Sequence, residues 1–249
     1  MTEVLETPTG IYKKIASTSS TATADKTPKN IMVKEGLTVY LGGAGMAGGY
    51  IEDQVKSLRK VGISGAVVGR NTAGQYVDAV AGVNKHRYRL KKINGISDSG
   101  PYSIEADWSL ESLGVNKPIP AGGQFNLIGY SFGSLVAAQS ALYYADKGQP
   151  VDYLVLIGSP ISEEMLAETR QNALIKNVVV LDLKAHGDPI HAGMSFVDLA
   201  VNAPLLGWQM TESASNGEGM GHFYYGIDGA SGEQRRLELA KSLYAEGLR

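Results

Sequence analysis

The feature that most constrains the fold of this chain is an alternation of two residue patterns. Short, predominantly apolar runs occur at 37–41, 63–68, 125–128, 153–157 and 178–181. Between and after them lie stretches whose apolar residues recur at helical spacing. Ile51, Val55, Leu58 and Val61 share one face. Leu135, Val136, Ala138, Leu142 and Ala145 recur in the same way, residues 163–174 have helical spacing, and residues 233–246 form an amphipathic last helix with Leu237, Leu239, Ala240 and Leu243 apolar. A strand without polar alternation must be covered on both faces, and strands separated by helices pair in parallel. The pattern predicts an α/β fold: a mainly parallel central sheet with helices on both faces, a three-layer sandwich. Ligands of such sheets bind beyond the carboxyl ends of the strands, so chemistry is expected there.

The first 30 residues do not share this pattern. The run Ser17-Thr18-Ser19-Ser20-Thr21-Ala22-Thr23 is small, polar and aperiodic, as in a flexible N-terminal arm. Residues 31–249 are expected to form one domain, long enough to bury its core without disulfides or metal. Residues 71–124 carry turn signals at Asn94-Gly95 and Ser99-Gly100-Pro101, with a helix expected near 104–113. The chain contains no Cys, which removes disulfides, thiolate metal sites and cysteine nucleophiles. Its net charge of −2 argues against broad nucleic-acid binding. No apolar stretch reaches the length of a membrane span, and the first residues lack a basic segment followed by an apolar run. The default expectation is a cytoplasmic protein, with leaderless export left open.

The chemical signal is Gly129-Tyr130-Ser131-Phe132-Gly133, a G-x-S-x-G pentapeptide. Alone the pattern is weak; its setting gives it weight. An apolar strand ends at Ile128 and helical spacing begins at once, so the serine falls on a sharp strand-to-helix turn. Such a turn forces the central residue into a strained conformation and requires small residues two before and two after it. The hydroxyl then projects above the sheet, near the positive end of the helix. The plainer alternative is a Gly-rich turn with a capping serine.

The segment from Gly129 to Ser162, GYSFGSLVAAQSALYYADKGQPVDYLVLIGSPIS, resembles the α/β-hydrolase superfamily, and lipases and their relatives in particular. There the helix after the serine leads to a strand ending in Gly-Ser-Pro, here Gly158-Ser159-Pro160. The resemblance spans roughly residue 37 to the C-terminus, with specific motifs in four short places. It implies an α/β-hydrolase fold, no cofactor or metal, and a triad in the order Ser, acid, His. Ser131 is then the nucleophile. Asp188, just past the strand at 178–181 and before Pro189, takes the place of the acid; Asp182 is its rival. His222, 34 residues after Asp188 in a Gly-rich loop ahead of the last helix, takes the place of the base. His186 and His191 flank the acid, and His86 precedes the serine, in the wrong order. The oxyanion donors implied are the backbone N–H of Phe132 and one from the loop after the first strand. The family often has His-Gly there; this chain has Gly42-Gly43, which leaves the donor open between Ala44 and Gly45.

Two other readings compete. Gly43-Ala44-Gly45-Met46-Ala47-Gly48 is also a G-x-G-x-x-G after a strand, Arg70 ends the next strand, and Ser131, Tyr143 and Lys147 mimic the set used by short-chain dehydrogenases. That reading gives an NADP-dependent oxidoreductase. Against it, Lys147 closes a helix rather than opening one, because Gly148-Gln149-Pro150 follow. A non-catalytic interaction module on the same scaffold is the third reading.

The segment 192–212 bears on the substrate. Apart from Asp198 its stretch from Met194 to Met210 is uncharged, and it carries Phe196, Val197, Leu199, Val201, Leu205, Leu206 and Trp208. It reads either as a cap or lid over an acyl pocket, or as a core helix over 195–201 with a packed loop. Tyr130, Met46, Phe196 and Trp208 are the expected substrate contacts. The basic run Lys85, His86, Arg87, Arg89, Lys91 and Lys92 reads as a solvated face or as a transient membrane-surface contact. The expected substrate is a small-molecule or lipid ester.

Overall fold

The computed structural model describes residues 4–7, 10–13, 31–32, 35–43, 48–70 and 107–249. The turn signals at 94–101, the basic run at 85–92 and the polar run at 17–23 lie outside the described residues.

Strands β4 (Leu37–Leu41), β5 (Ala66–Gly69), β6 (Phe125–Tyr130), β7 (Val151–Ile157) and β8 (Ile175–Leu181) form one five-stranded sheet in the order β5-β4-β6-β7-β8. Every pairing is parallel, with Val39 opposite both Val67 and Leu127, Leu127 opposite Leu154, and Leu154 opposite Val178. The architecture is α/β. Helices α1 (Gly49–Lys60), α2 (Phe132–Asp146), α3 (Glu163–Gln171), α4 (Phe196–Asn216) and α5 (Ala230–Glu246) accompany the sheet. No helix among the described residues is long and apolar enough to cross a membrane.

Period-2 side-chain alternation divides the core. Leu37, Val39 and Leu41 of β4, Phe125 and Leu127 of β6, and Leu154 and Leu156 of β7 pack in one cluster with Leu135 and Leu142 of α2 and Met165 of α3. Their alternates Tyr40, Ile128, Tyr130, Val155 and Ile157 pack in a second cluster with Ile51, Val55 and Leu58 of α1 and Leu239 and Leu243 of α5. This double demand is why the strands read as predominantly apolar runs. It also explains the buried length of α2, where Leu135, Val136, Ala137, Ala138, Ala141 and Leu142 are all fully buried.

Some element bounds differ from the sequence reading. The run at 63–68 enters the sheet only at Ala66, because Gly62 at φ 105 ends α1 and Ile63 folds back, its N–H donating to Leu58 O at 3.0 Å. Ile63 is apolar because it is fully buried at this turn, not because it pairs in the sheet. Helix α3 stops before Asn172, whose side-chain oxygen accepts from Leu174 N at 3.0 Å, a local bond that competes with helix. The part of the expected 104–113 helix that is described, from Asp107, is a turn held by Asp107 and Ser109 side chains. Residues 4–7, 10–13 and 31–32 form a separate antiparallel sheet, β1 (Val4–Thr7), β2 (Gly10–Lys13) and β3 (Ile31–Met32), with Leu5 opposite Tyr12 and Tyr12 opposite Met32. The segment expected to be a flexible arm therefore carries paired strand structure. Its short Val-Leu and Ile-Tyr pairs are strand formers that a composition-level reading passes over.

The apolar segment after β8 has two readings in the sequence, a cap or lid, or a core helix over 195–201 with a packed loop. Rather than a short core helix and a loop, residues 196–216 form one helix that runs through Pro204. Its start is set by a capping box in which Ser195 and Asp198 exchange hydrogen bonds, and its end by Gly217 at φ 69. Val197, Val201, Leu205 and Trp208, three or four residues apart, are 67%, 72%, 41% and 53% exposed. An apolar face turned outward is unlike a core helix.

Candidate active site

In a parallel sheet all the carboxyl ends lie on one edge. At that edge β4 runs into Gly42-Gly43, β6 into Ser131, β7 into Gly158, and β8 into the loop that carries Asp188.

Ser131 lies between the last residue of β6 and the first of α2, with φ 55 and ψ −124. It is the one non-glycine residue at positive φ among the described residues. Such a conformation costs about 1–3 kcal/mol and persists only where the surroundings dictate it. Here Ser131 N donates to Ile157 O at 2.8 Å, and Ser131 O accepts from Ser134 N at 3.0 Å and from the Ser134 hydroxyl. The flanking glycines have no alternative. A Cβ on Gly129 would stand 2.3 Å from Ser134 Cα, and a Cβ on Gly133 would stand 2.3 Å from Gly42 O and 2.4 Å from Leu41 O. Both clashes are with backbone, which cannot swing aside.

Ser131 Oγ lies 2.6 Å from His222 Nε2, and His222 Nδ1 lies 2.9 Å from Asp188 Oδ2. The Asp188 side chain is fully buried and that of His222 is 8% exposed. The second carboxylate oxygen of Asp188 accepts from Ile190 N at 2.8 Å, which fixes the carboxylate plane. A carboxylate at Nδ1 selects the tautomer whose proton sits there, leaving the Nε2 lone pair for the serine proton. The arrangement can therefore draw a proton from a hydroxyl and hold the imidazolium that results.

The other candidates are placed elsewhere. Asp182 accepts from Ala192 N at 3.1 Å and serves a turn. His186 stacks on Tyr224 with ring centroids 3.6 Å apart, and His191 faces its neighbour's carbonyl, Ala192 O. Gly158, at φ +50, leaves room for the acid and base: a Cβ there would lie 3.1 Å from Asp188 Oδ2 and 3.5 Å from His222 Cε1. Ser159 ties this turn to α2, its hydroxyl 2.6 Å from that of Ser134 and accepting from Ile161 N at 3.2 Å.

The loop carrying His222 is held by residues that the sequence reading does not single out. Gln209 of α4 is buried; its Oε1 accepts from His222 N at 2.9 Å and its Nε2 donates to Gly187 O at 2.8 Å. One amide thus spans the base and the residue before the acid. Arg235 donates to Gly219 O at 2.8 Å and Tyr224 O at 3.1 Å, and the fully buried Arg236 to Tyr225 O at 3.0 Å and Ile227 O at 2.6 Å. The Tyr130 hydroxyl donates to His222 O, and burial holds its pKa well above the usual phenol value, so it stays a donor. None of these contacts leaves a pattern, because each pairs a side chain with a backbone group outside its own element, from 9 to 92 residues away.

A cleft of about 660 Å3 opens over Ser131 and His222. Tyr130 and Phe132 line it, as do Leu199, Leu206 and Met210 of α4. Trp208, expected to contact substrate, is not among its lining residues. At 100° per residue it falls on the outer face of α4 with Val201, opposite Leu199 and Leu206. Phe196 opens α4, but its side chain lies outside what is described, as do Ala44, Gly45 and Met46. Phe132, the other expected oxyanion donor, occupies the first position of α2. The dehydrogenase-like set is not assembled: Tyr143 follows Ser131 by twelve residues along the chain, about 18 Å along a helix, and Lys147 Nζ lies over the Tyr143 ring at 4.4 Å. Among the described residues no group of three or more His, Asp and Glu could hold a metal ion.

The chain matches no protein-family model, no curated protein and no solved structure at a significant level.

Two outcomes follow from this geometry. Gly133→Ala is expected to lose about 2–3 kcal/mol in denaturant unfolding, because the added methyl meets backbone. Gly114→Ala, at φ +69 with nothing within 4 Å of an added Cβ, should cost only about 1 kcal/mol. Gln209→Ala is expected to lower stability by about 1–3 kcal/mol. It should also speed hydrogen exchange at the His222 amide, whose acceptor it removes.

Proposed function

We propose that the chain is a serine hydrolase of α/β-hydrolase type, cleaving carboxylic esters with apolar acyl groups. The observation that carries this reading is the unbroken line Ser131–His222–Asp188, anchored on a left-handed serine that its neighbours force to face the cleft. A capping serine has no need of positive φ, and its side chain would bond the helix it caps; Ser131 makes no side-chain cap bond. The three-layer arrangement, with α2 and α3 on one side of the sheet and α1 and α5 on the other, is supported by the two core clusters that take alternate residues of each strand.

In the proposed reaction Ser131 Oγ attacks the ester carbonyl as His222 Nε2 takes its proton. The carbonyl π pair moves to oxygen, where N–H groups at the start of α2 and in the 42–45 loop would stabilise it. Collapse expels the alcohol, which receives the proton from His222, and leaves an acyl-Ser131. Water, deprotonated by the same imidazole, releases the acid. Asp188 keeps the ring in register and balances its charge.

The apolar walls from α4 favour an acyl chain over a polar group. The outer face of the same helix, with Val201 and Trp208 exposed and no charge between Asp198 and Glu212, suits a lipid surface.

A fluorophosphonate probe is expected to label the wild-type chain and not Ser131→Ala; equal labelling of both would reject the reading. Asp188→Asn should lower kcat by about 10³–10⁴ with the fold retained. The double substitution Val201→Asp, Trp208→Asp should reduce turnover of aggregated esters about tenfold and leave that of a dissolved short-chain ester within about twofold.

A further inference from the structure

We propose that the phenol of Tyr50 is an oxyanion donor of this site, and so a catalytic residue. The proposal rests on the acyl-transfer reading above and names a group within it that no motif marks. Tyr50 stands in the first turn of α1, is 8% exposed and lines the cleft. Its hydroxyl oxygen accepts from Gly43 N at 2.9 Å, on the loop that follows β4. That bond uses an oxygen lone pair and directs the phenol's own proton elsewhere. Among the described residues that proton meets no acceptor.

The nucleophile borders the same space. The point that a Cβ on Gly43 would occupy is 3.5 Å from the Tyr50 hydroxyl oxygen, 3.3 Å from Ser131 Cβ and 3.7 Å from Ser131 Oγ. A glycine at 43 keeps this point open. An oxygen developing negative charge beside Ser131 Oγ can therefore meet the Tyr50 proton, and Gly43 N–H, donating into the phenol, strengthens its donation. Burial raises the pKa of Tyr50, with nearby Asp228 acting in the same direction and the Gly43 bond and Arg236 acting against it, so the group remains a protonated donor at neutral pH. Tyr130 packs edge-on with ring centroids 6.0 Å away and holds the phenol ring. In the reacting step Tyr50 transfers no proton: the Ser131 proton goes to His222 Nε2, the carbonyl pair goes to oxygen, and Tyr50 donates a hydrogen bond to that oxygen.

The test uses the full chain and a dissolved ester. Tyr50→Phe is expected to lower kcat by about 10²–10³, the range for loss of one oxyanion donor, with KM within about threefold. Affinity for a trifluoromethyl ketone, which Ser131 would convert to a charged hemiketal, should fall in parallel with kcat/KM. Affinity for the matching unreactive ether should stay unchanged, a split that a loop-bracing role would not produce. Fluorotyrosine at position 50 keeps the packing and lowers the phenol pKa. Because only the protonated phenol donates, the alkaline loss of activity should move to lower pH. A Tyr50→Phe chain with kcat within about threefold of wild type would overturn the proposal, as would an alkaline limb unmoved by fluorotyrosine. If the wild type itself cleaves no ester and takes no fluorophosphonate, the hydrolase reading fails first. If it does both while the position-50 variants behave as wild type, only the role of Tyr50 fails.

Discussion

The site depends on the contact of two backbones at Gly129 and Gly133. Strand β6 and helix α2 can meet at a single residue only if Gly129 accepts Ser134 Cα and Gly133 accepts the carbonyls of Leu41 and Gly42 at distances no side chain permits. That closeness forces Ser131 to φ 55 and turns its hydroxyl away from the sheet. The strain is carried by ordinary bonds to β7 and to the first turn of α2. A fold with more room at this junction would relax the serine into the helix and lose the alignment with His222.

Around this turn the parallel sheet does the gathering. Four adjacent strands end on one edge, so groups from residues 43, 131, 158 and 188 converge without long connections. The fifth contribution comes from the 221–227 loop, which belongs to no strand. That loop is carried by α4 through Gln209 and by α5 through Arg235 and Arg236. Ser131 thus stands at the end of a sheet strand and Asp188 in the loop after β8, while His222 stands on bonds between helices and loop carbonyls. The terminal nitrogens of the fully buried Arg236 meet two carbonyls and, at 3.5 Å, Asp53, which offsets part of the cost of burying its charge.

How much was legible in the sequence follows from where each piece of information lies. Strand and helix periodicity is local, so β4, β6, β7 and α2 are readable within a residue or two. The elbow is also local: Gly, Ser and Gly at fixed spacing between a strand and a helix. Ser131, Asp188 and His222 are named through chain order and a family resemblance, and distance along the chain says nothing of their 2.6 and 2.9 Å separations. Gln209, Tyr50, Arg235 and Arg236 escape notice because a lone polar side chain bonded to the backbone of a neighbouring loop has no periodicity. Trp208 lies off the lining of the cleft for a different reason. Composition shows that 192–212 is apolar, but only the continuous helix through Pro204 reveals that its apolar residues divide between two faces. Ile63 illustrates the same limit at a turn, where burial mimics a strand.

Gln209 stands on the turn of α4 that also presents Leu206 and Met210 to the cleft. Its amide has no slack, since both ends are bonded at under 3 Å to the two loops bearing acid and base. A guest too bulky for the cavity would have to lever the helix outward, and doing so would pull the imidazole's own backbone anchor with it. Under the proposed reading, fit and proton transfer would be coupled through this one amide. Under the proposed reading an oversized occupant would disturb the His222 loop, so selection by girth would need no separate gate.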